Sequence, residues 1–386
     1  MSTPAVAVVG AYETEQARFL DGRHQIDLFA EAIKGALADA GIQRTQVNGM
    51  IGRWPGPGGN QTFPSSADWA YQLGLKVDWV DETMYAGPIA LQHAVAAIAT
   101  GQCDTVVIVT GQSGVIPRKR GEAVIGYTRP ENEFVQMWGV TTPVQFALLA
   151  RRHMHLFGTT VEQMAEVASA IRTSGSLNPN AVLYGKGPIS PSDVRASPEI
   201  ASPFRLLDLS LVSEGAVALV VSSRTECETP VYIRGVAAEY VGSPYVNVPV
   251  YEDLRDLGRR AAERTFRQAG LDRADIDVFS IYDPTSFHVI HQFEVLGYCQ
   301  EGEGGPFVEG GRLRLTGEHP TNLDGGLLSH AHLNDGQLSL KIKEGVDQLR
   351  GRSGERQVVG ARNALVTTQG GATLDFGVVI LSTDAA

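Results

Sequence analysis

An apolar run of strand length, a helix that stops at Ala-Gly, a short polar turn holding an arginine, and a second buried strand occur in that order twice in this chain. The first pass reads "AVAVVGA" (Ala5 to Ala11), "IDLFAEAIKGALADAG" and "IQRTQVNGMIGR". The second reads "VYIRGVA" (Val231 to Ala237), "LGRRAAERTFRQAG" and "LDRADIDVFSIYD". In the first helix Leu28, Ile33 and Leu37 recur at helical spacing, and Gly41 ends it. Further on, "CDTVVIVTGQSG" is echoed by "ARNALVTTQGG", a strand emptying into glycines. Strands and helices alternating in a repeat of this size predict an α/β fold built from two similar halves. The halves are expected to span residues 1–225, with a helical loop insertion, and residues 226–386.

The chain has 386 residues, 43% of them hydrophobic, enough for a large core; its 43 glycines favour many short elements joined by tight turns. A net charge of −11 with no long basic run argues against nucleic acid and anionic membrane surfaces as partners. No apolar run approaches the roughly 20 residues needed to span a bilayer. The opening "MSTPAVAVVGAYETE" lacks the basic start of a signal peptide. Cys103, Cys227 and Cys299 are widely spaced and odd in number, which fits a reduced, cytoplasmic protein without a disulfide framework.

In α/β sheets ligands bind where loops leave the carboxyl ends of strands. That selects "TMYAGP" (83–88), "YDPTSF" (282–287), "GGLLSHAHL" (325–333) and "TTQGG" (367–371). His330 and His332 stand two apart in the third of these. A zinc site would need a further ligand nearby, and neither a cysteine pair nor His-Glu-x-x-His occurs, so no metal is expected in this chain. "GEGG" (302–305) lacks the lysine of a phosphate loop, and the first strand is followed by no dinucleotide fingerprint.

Longer segments resemble a known family. "ARRHMHLFGTTVEQMAEVASAIRTSGSLNPNAVLYG", "SPFRLLDLSLVSEGAVALVVSS" and "LGYCQEGEGGPFVEGG" followed by "HPTNLDGGLLS" look like the thiolase superfamily, in its sterol-carrier or lipid-transfer-protein branch. The resemblance covers nearly the whole chain and implies the thiolase fold, a layered αβαβα arrangement. The catalytic motifs depart from it. Where a thiolase carries its nucleophilic cysteine, this chain has Met84, followed by Tyr85, Ala86 and Gly87. The His-Asp-Cys-Phe box becomes Tyr282, Asp283, Pro284 and Thr285. The late Cys-x-Gly becomes Thr367, Thr368, Gln369 and Gly370. Only the Gly-His-Pro box keeps its histidine, at His332.

A thiolase needs a thiolate to carry the acyl group, so Claisen chemistry through an acyl-cysteine is not expected here. The scaffold should still hold a CoA thioester as substrate. Backbone amides near Met84 and in the Gly370–Gly371 turn are candidates for an oxyanion hole. Such a site suits retro-aldol cleavage of a β-hydroxyacyl-CoA. Members of the branch without the cysteines resemble this account: they are steroid side-chain-cleaving aldolases that use tyrosines and pair with a DUF35 protein, a zinc ribbon with an OB-fold. By that resemblance the chain is expected to form a homodimer within an α2β2 complex, with no covalently bound cofactor and zinc only in the partner.

The catalytic candidates are His332, by its motif position, with Tyr245 in the loop after the first strand of the second half and Tyr282 beside Asp283. At an ordinary pKa of roughly 6.5, His332 would accept or donate a proton at neutral pH. Expected around the substrate are Met84, Tyr85, Gly87, Asp283, Gly325, Gly326, Ser329, His330, Gly370 and Gly371, with Gly325 and Gly326 letting the backbone approach the thioester. His330 has only proximity in its favour and reads better as a hydrogen-bonded loop histidine. His288 and His291 read as core or interface residues, His93 as structural, and His153 and His155 as residues of a surface helix. "GRWPGPGGNQTFPSS" (52–66) reads as an entrance loop or a partner contact. Two alternatives stand beside the lyase: an acyltransferase using Thr367 or Ser329 as nucleophile, and a non-catalytic acyl-CoA or lipid carrier.

Overall fold

Near the middle of the molecule two strands, β1 (Ala7–Glu13) and β8 (Val231–Tyr240), lie antiparallel and touch through only two residue pairs, Ala7 with Tyr232 and Val8 with Val231. Each belongs to one copy of the repeat, and each begins a half-sheet. The computed structural model describes residues 4–52, 65–82, 87–114, 142–241, 250–333, 336–369 and 375–385. Met84, Tyr85, Tyr245, Gly370 and Gly371 lie outside the described residues, as does most of the 52–66 segment.

The other strands of the first half are β2 (Gly49–Gly52), β3 (Trp79–Asp81), β4 (Thr105–Gln112) and β7 (Gly215–Ser222). Those of the second half are β9 (Val278–Ser280), β10 (Asn363–Thr368) and β11 (Asp375–Ser382). Among the described residues the order is β3-β2-β4-β7-β1-β8-β11-β10-β9. Read outward from the junction, β1-β7-β4-β2 matches β8-β11-β10-β9, and each corresponding pair runs in the same relative direction. Even β3, which pairs parallel with β2, has a trace of a counterpart: Thr321 makes a single parallel bridge to Phe279 of β9.

Helices α1 (Gln25–Ala40), α2 (Ser65–Gln72) and α3 (Pro88–Ala99) belong to the first half. Gly41 closes α1 in the left-handed conformation, as the Ala-Gly signal predicts. A layer of α1 and α2 packs Phe29, Leu28 and Trp69 on one face of the first half-sheet. Between β4 and β7 the chain inserts α4 (Thr142–Phe157), α5 (Val161–Gly175), the short α6 (Pro191–Ala196) and a small hairpin of β5 (Glu199–Ala201) and β6 (Phe204–Arg205). The second half carries α7 (Tyr251–Ala269), α8 (Ser286–Leu296), the one-turn α9 (Gly304–Phe307) and α10 (Gly336–Leu349). Helix α7, with α4, α5 and α8, covers the outer face of the second half-sheet. Helices α3 and α10 share one apolar cluster with strands of both halves. The result is five layers, αβαβα. All eight residues of β7 are buried, as a strand covered on both faces requires.

His153 corrects the sequence reading. It lies on the stripe Phe146, Leu149, Ala150, His153 and is fully buried. Its Nε2 sits 3.0 Å from Glu294 of α8 and its Nδ1 2.8 Å from Thr159. His155, on the same helix, is exposed. Among the described residues no helix is long and apolar enough to cross a membrane.

Candidate active site

The loops selected from the sequence converge on the start of α10. Tyr282 and Asp283 follow β9. The Tyr282 amide donates to Thr367 Oγ1 of β10 at 3.0 Å, and its carbonyl accepts from Gln292 Nε2 at 2.6 Å. The Tyr282 ring packs with Leu327 and Leu338. Leu338 also abuts Gly87 at the head of α3: a Cβ there would stand 2.7 Å from the Leu338 carbonyl oxygen. Gly87, Tyr282 and the 326–330 turn are thus brought together around one leucine of α10.

That turn, Gly326 to His330, is a single wide helical turn with π-type hydrogen bonding. Such turns are rare and are frequently found at functional sites. Asp283 fixes its start, accepting the Leu327 amide at 3.0 and 3.1 Å. The Asp283 carboxylate is fully buried and meets Lys341 Nζ of α10 at 2.6 Å, off the ideal hydrogen-bond direction. Burial pushes the Asp283 pKa up, against the pull of Lys341. Lys341 escaped the sequence reading, although its place three residues after Leu338 and four before Gly345 put a lysine on a core face. It acts on the site through Asp283 and is a positioning residue.

The two glycines of the turn serve packing. Gly325 and Gly326 have φ of 104° and 52°, conformations that glycine adopts without strain. A Cβ on Gly325 would stand 2.6 Å from Gly175 at the end of α5, and one on Gly326 2.1 Å from Asp283 Oδ2. Their close approaches are therefore to α5 and to Asp283. Ser329 also packs on Gly175, and its buried Oγ has no hydrogen-bond partner among the described residues.

His330 sits between two carboxylates. Its Nδ1 is 2.8 Å from Asp324 Oδ2 and its Nε2 2.8 Å from Glu13 Oε2, at the end of β1. Burial alone would lower its pKa, but Glu13 and Asp324 outweigh burial and raise it to about 10. In return, and against burial, Lys343 and His330 pull Glu13 down to about 2. With both ring nitrogens occupied, His330 has no free position for a metal, and it is held as an imidazolium.

His332 is the opposite case. Its backbone is pinned, the amide to Ser213 Oγ at 2.9 Å and the carbonyl to the Ser213 amide at 3.0 Å. The residue keeps some accessible surface, yet its Nδ1 is sealed off without a partner among the described residues. Burial of the ring pushes its pKa down to about 4. This corrects the expectation of an ordinary value: the dense packing around the imidazole keeps it neutral at pH 7, able to accept a proton but holding none to donate as a cation.

Among the described residues the alternative nucleophiles find no activating group. Thr367 Oγ1 donates to Gln292 Oε1 at 2.5 Å and accepts from the Tyr282 amide. Burial, the largest influence on each of the three thiols, raises Cys103 to about 11 and Cys299 to about 12, and Cys227 also lies above its usual value. Thiols held this way are poor nucleophiles.

Comparison with known proteins agrees with this frame. A family model described as Thiolase C-terminal domain-like matches residues 253–383. The chain is 33% identical to a 17-hydroxy-3-oxo-4-pregnene-20-carboxyl-CoA lyase of Mycobacterium tuberculosis, over 95% of this chain and 97% of that one. It is equally 33% identical to an acetyl-CoA acetyltransferase of Methanothermobacter thermautotrophicus, over 95% and 96%. A solved Ltp2-ChsH2(DUF35) aldolase superposes with a TM-score of 0.85 at 27% identity, covering 99% of both chains. The chain belongs to the thiolase superfamily, in the sterol-carrier and lipid-transfer-protein branch that also holds steroid side-chain-cleaving aldolases.

Proposed function

We propose that this protein is a carbon–carbon lyase that cleaves a β-hydroxyacyl-CoA, with a steroid side chain as its substrate class, by retro-aldol chemistry and without an acyl-cysteine. Relatives of equal identity carry a lyase name and an acetyltransferase name, so the choice rests on the site. The observation that carries it is the missing nucleophile: in the sequence Met84 stands where a thiolase has its cysteine, and the three cysteines are thiols buried or half-buried elsewhere.

The neutral His332 takes the proton of the β-hydroxyl, directly or through Tyr245 or Tyr282. The electron pair of that O–H bond forms the new carbonyl as the carbon–carbon bond breaks. The cleaved pair passes to the α-carbon and is delocalised as the thioester enolate. Backbone amides of the 84–87 and 369–371 segments and a remaining phenol stabilise its oxygen. Returning the proton to the α-carbon yields the shortened acyl-CoA. Asp283 and Lys341 hold the turn that carries His330 and leads into His332.

The working unit in this reading is a homodimer completed to α2β2 by a DUF35 partner that holds the zinc, in the cytoplasm. The solved Ltp2-ChsH2(DUF35) aldolase supports such a partner. The test is incubation of the co-purified complex with a β-hydroxyacyl-CoA in the absence of free CoA. The expected products are one carbonyl compound and one shortened acyl-CoA, with zinc found only in the smaller subunit. A β-hydroxyacyl-CoA left intact, with a β-ketoacyl-CoA cleaved only when free CoA is added, would instead favour the acyltransferase.

A further inference from the structure

His330 also lines a cavity of about 620 Å³ that the reaction above does not use. It opens between α10, the loop 176–185 and the turn 352–356. Helix α10 presents two faces. On one, Leu338 and Lys341 meet Tyr282 and Asp283. On the opposite face Leu340, Lys343, Glu344 and Asp347 recur at spacings of three and four and line the cavity. Glu13 and Asp324 complete its inner wall. The volume falls within the range of about 300–1,000 Å³ that is usual for small-molecule sites.

The charges around this cavity do not balance. Five carboxylates line it: Glu13, Asp324, Glu344, Asp347 and Glu355. Of the four cations beside them, Arg352 is turned to Asp39, outside the cavity. His330 is shared by Glu13 and Asp324, and Lys343 by Glu13 and Asp347. Arg356 reaches Glu344 at 3.3 Å. Three cations thus serve five carboxylates. Glu344 is buried, and burial together with the neighbouring Asp324 pushes its pKa up, against the pull of Arg356. Glu355 is exposed at the mouth and forms no ion pair among the described residues. The hydroxyl of Ser353, in the same lining, is buried without a hydrogen-bond partner among the described residues. A buried polar group left unbonded calls for an explanation. Apolar surface comes from Leu340 and from the exposed Leu177 and Tyr184.

We propose that this cavity binds a small organic cation, an alkylammonium whose charge meets Glu344 and Asp324 and whose hydrocarbon stem lies along Leu340, Leu177 and Tyr184. A carboxylate or phosphate ligand would add to a surplus of negative charge. A bare metal ion finds no group of three ligating side chains among the described residues. An ammonium donates three hydrogen bonds in separate directions, which suits carboxylates that stand apart and a serine hydroxyl that lacks a partner. In a short diamine the second ammonium is left for Glu355 at the mouth. The site does not depend on the acyl-CoA reading above.

The probe is putrescine, a diamine, titrated calorimetrically into the full chain as purified, with butanediol of the same chain length as its uncharged counterpart. The diamine is expected to bind at least about tenfold more tightly than the diol, the scale of one hydrogen bond to a charged group. Glu344→Gln should weaken diamine binding by about the same factor. Glu355→Gln, at the exposed mouth, should weaken it about threefold, as a surface ion pair would. The chain's net charge of −11 attracts any cation, so Glu263→Gln supplies the control. It removes the same charge from an exposed position of α7 outside the cavity and should leave the affinity unchanged. Circular dichroism checks the folding of each variant, and if Glu344→Gln does not fold, Glu355→Gln set against Glu263→Gln decides. Equal binding of diamine and diol, an affinity that survives in the folded cavity variants, or an equal loss in Glu263→Gln would overturn the proposal.

Discussion

His332→Ala is expected to lower kcat for retro-aldol cleavage by about 10²- to 10⁴-fold, the usual contribution of one general acid–base group. The protein should remain folded by circular dichroism and still bind acyl-CoA, because the local backbone is held through Ser213 rather than through the ring. Tyr245→Phe should behave similarly. The pH profile separates this role from a packing role. A base must be neutral to accept, and burial sets the His332 pKa at about 4. The acid limb of kcat/KM should therefore fall near pH 4, well below the value of 6.5 for an unperturbed imidazole. Near parental turnover in His332→Ala would remove this histidine from the mechanism and leave the tyrosines to carry it.

Substituting the neighbouring histidine should damage stability before chemistry. His330→Gln leaves Glu13 and Asp324 buried without their shared cation, and breaking a buried ion pair in this way costs about 3–5 kcal/mol. The loss should depend on pH in a defined direction. The pKa of His330 rises from 6.5 to about 10 on folding. Its stabilisation is fully present below pH 6.5 and disappears as the pH rises through about 10. Glu13 is lowered from 4.5 to about 2, so its share is present above pH 4.5 and is lost as the pH falls through about 2. The stability gap between parent and variant, read by urea unfolding, should be widest between pH 4.5 and 6.5 and narrow toward pH 10. A gap that stays constant to pH 10 would mean that the ring is not held as a cation.

These two histidines show what could be read from the chain alone. The strands and helices were legible because their signals are local: apolar runs bounded by glycine, helical spacing in α1, and the Ala-Gly stops at Gly41 and Gly270, both left-handed in the structure. The convergence of the 282–287 and 325–333 segments was also legible, because topology alone places strand-end loops together. The charges that distinguish His330 from His332 were not. Glu13 lies 317 positions from His330 in the chain, and no local pattern connects the end of the first strand to that turn. Lys341 and His153 are a different kind of miss. Both occupy positions on an apolar stripe, and a polar residue at core spacing was itself the signal that a buried partner waits elsewhere in the fold. Gly325 and Gly326 were recognised as sites of close approach, but the partners are Gly175 and Asp283.

The central claim is that cleavage proceeds with no acyl group on a cysteine, and the triple variant Cys103→Ser, Cys227→Ser, Cys299→Ser tests it most directly. The variant complex is incubated with a β-hydroxyacyl-CoA without free CoA, and both turnover and intact mass are followed. The account predicts that cleavage is largely retained, that a carbonyl compound and a shortened acyl-CoA form in equal amounts, and that the protein mass does not change in either the parent or the variant. A folded variant that no longer cleaves, or an acyl adduct on any residue of the parent, would contradict it.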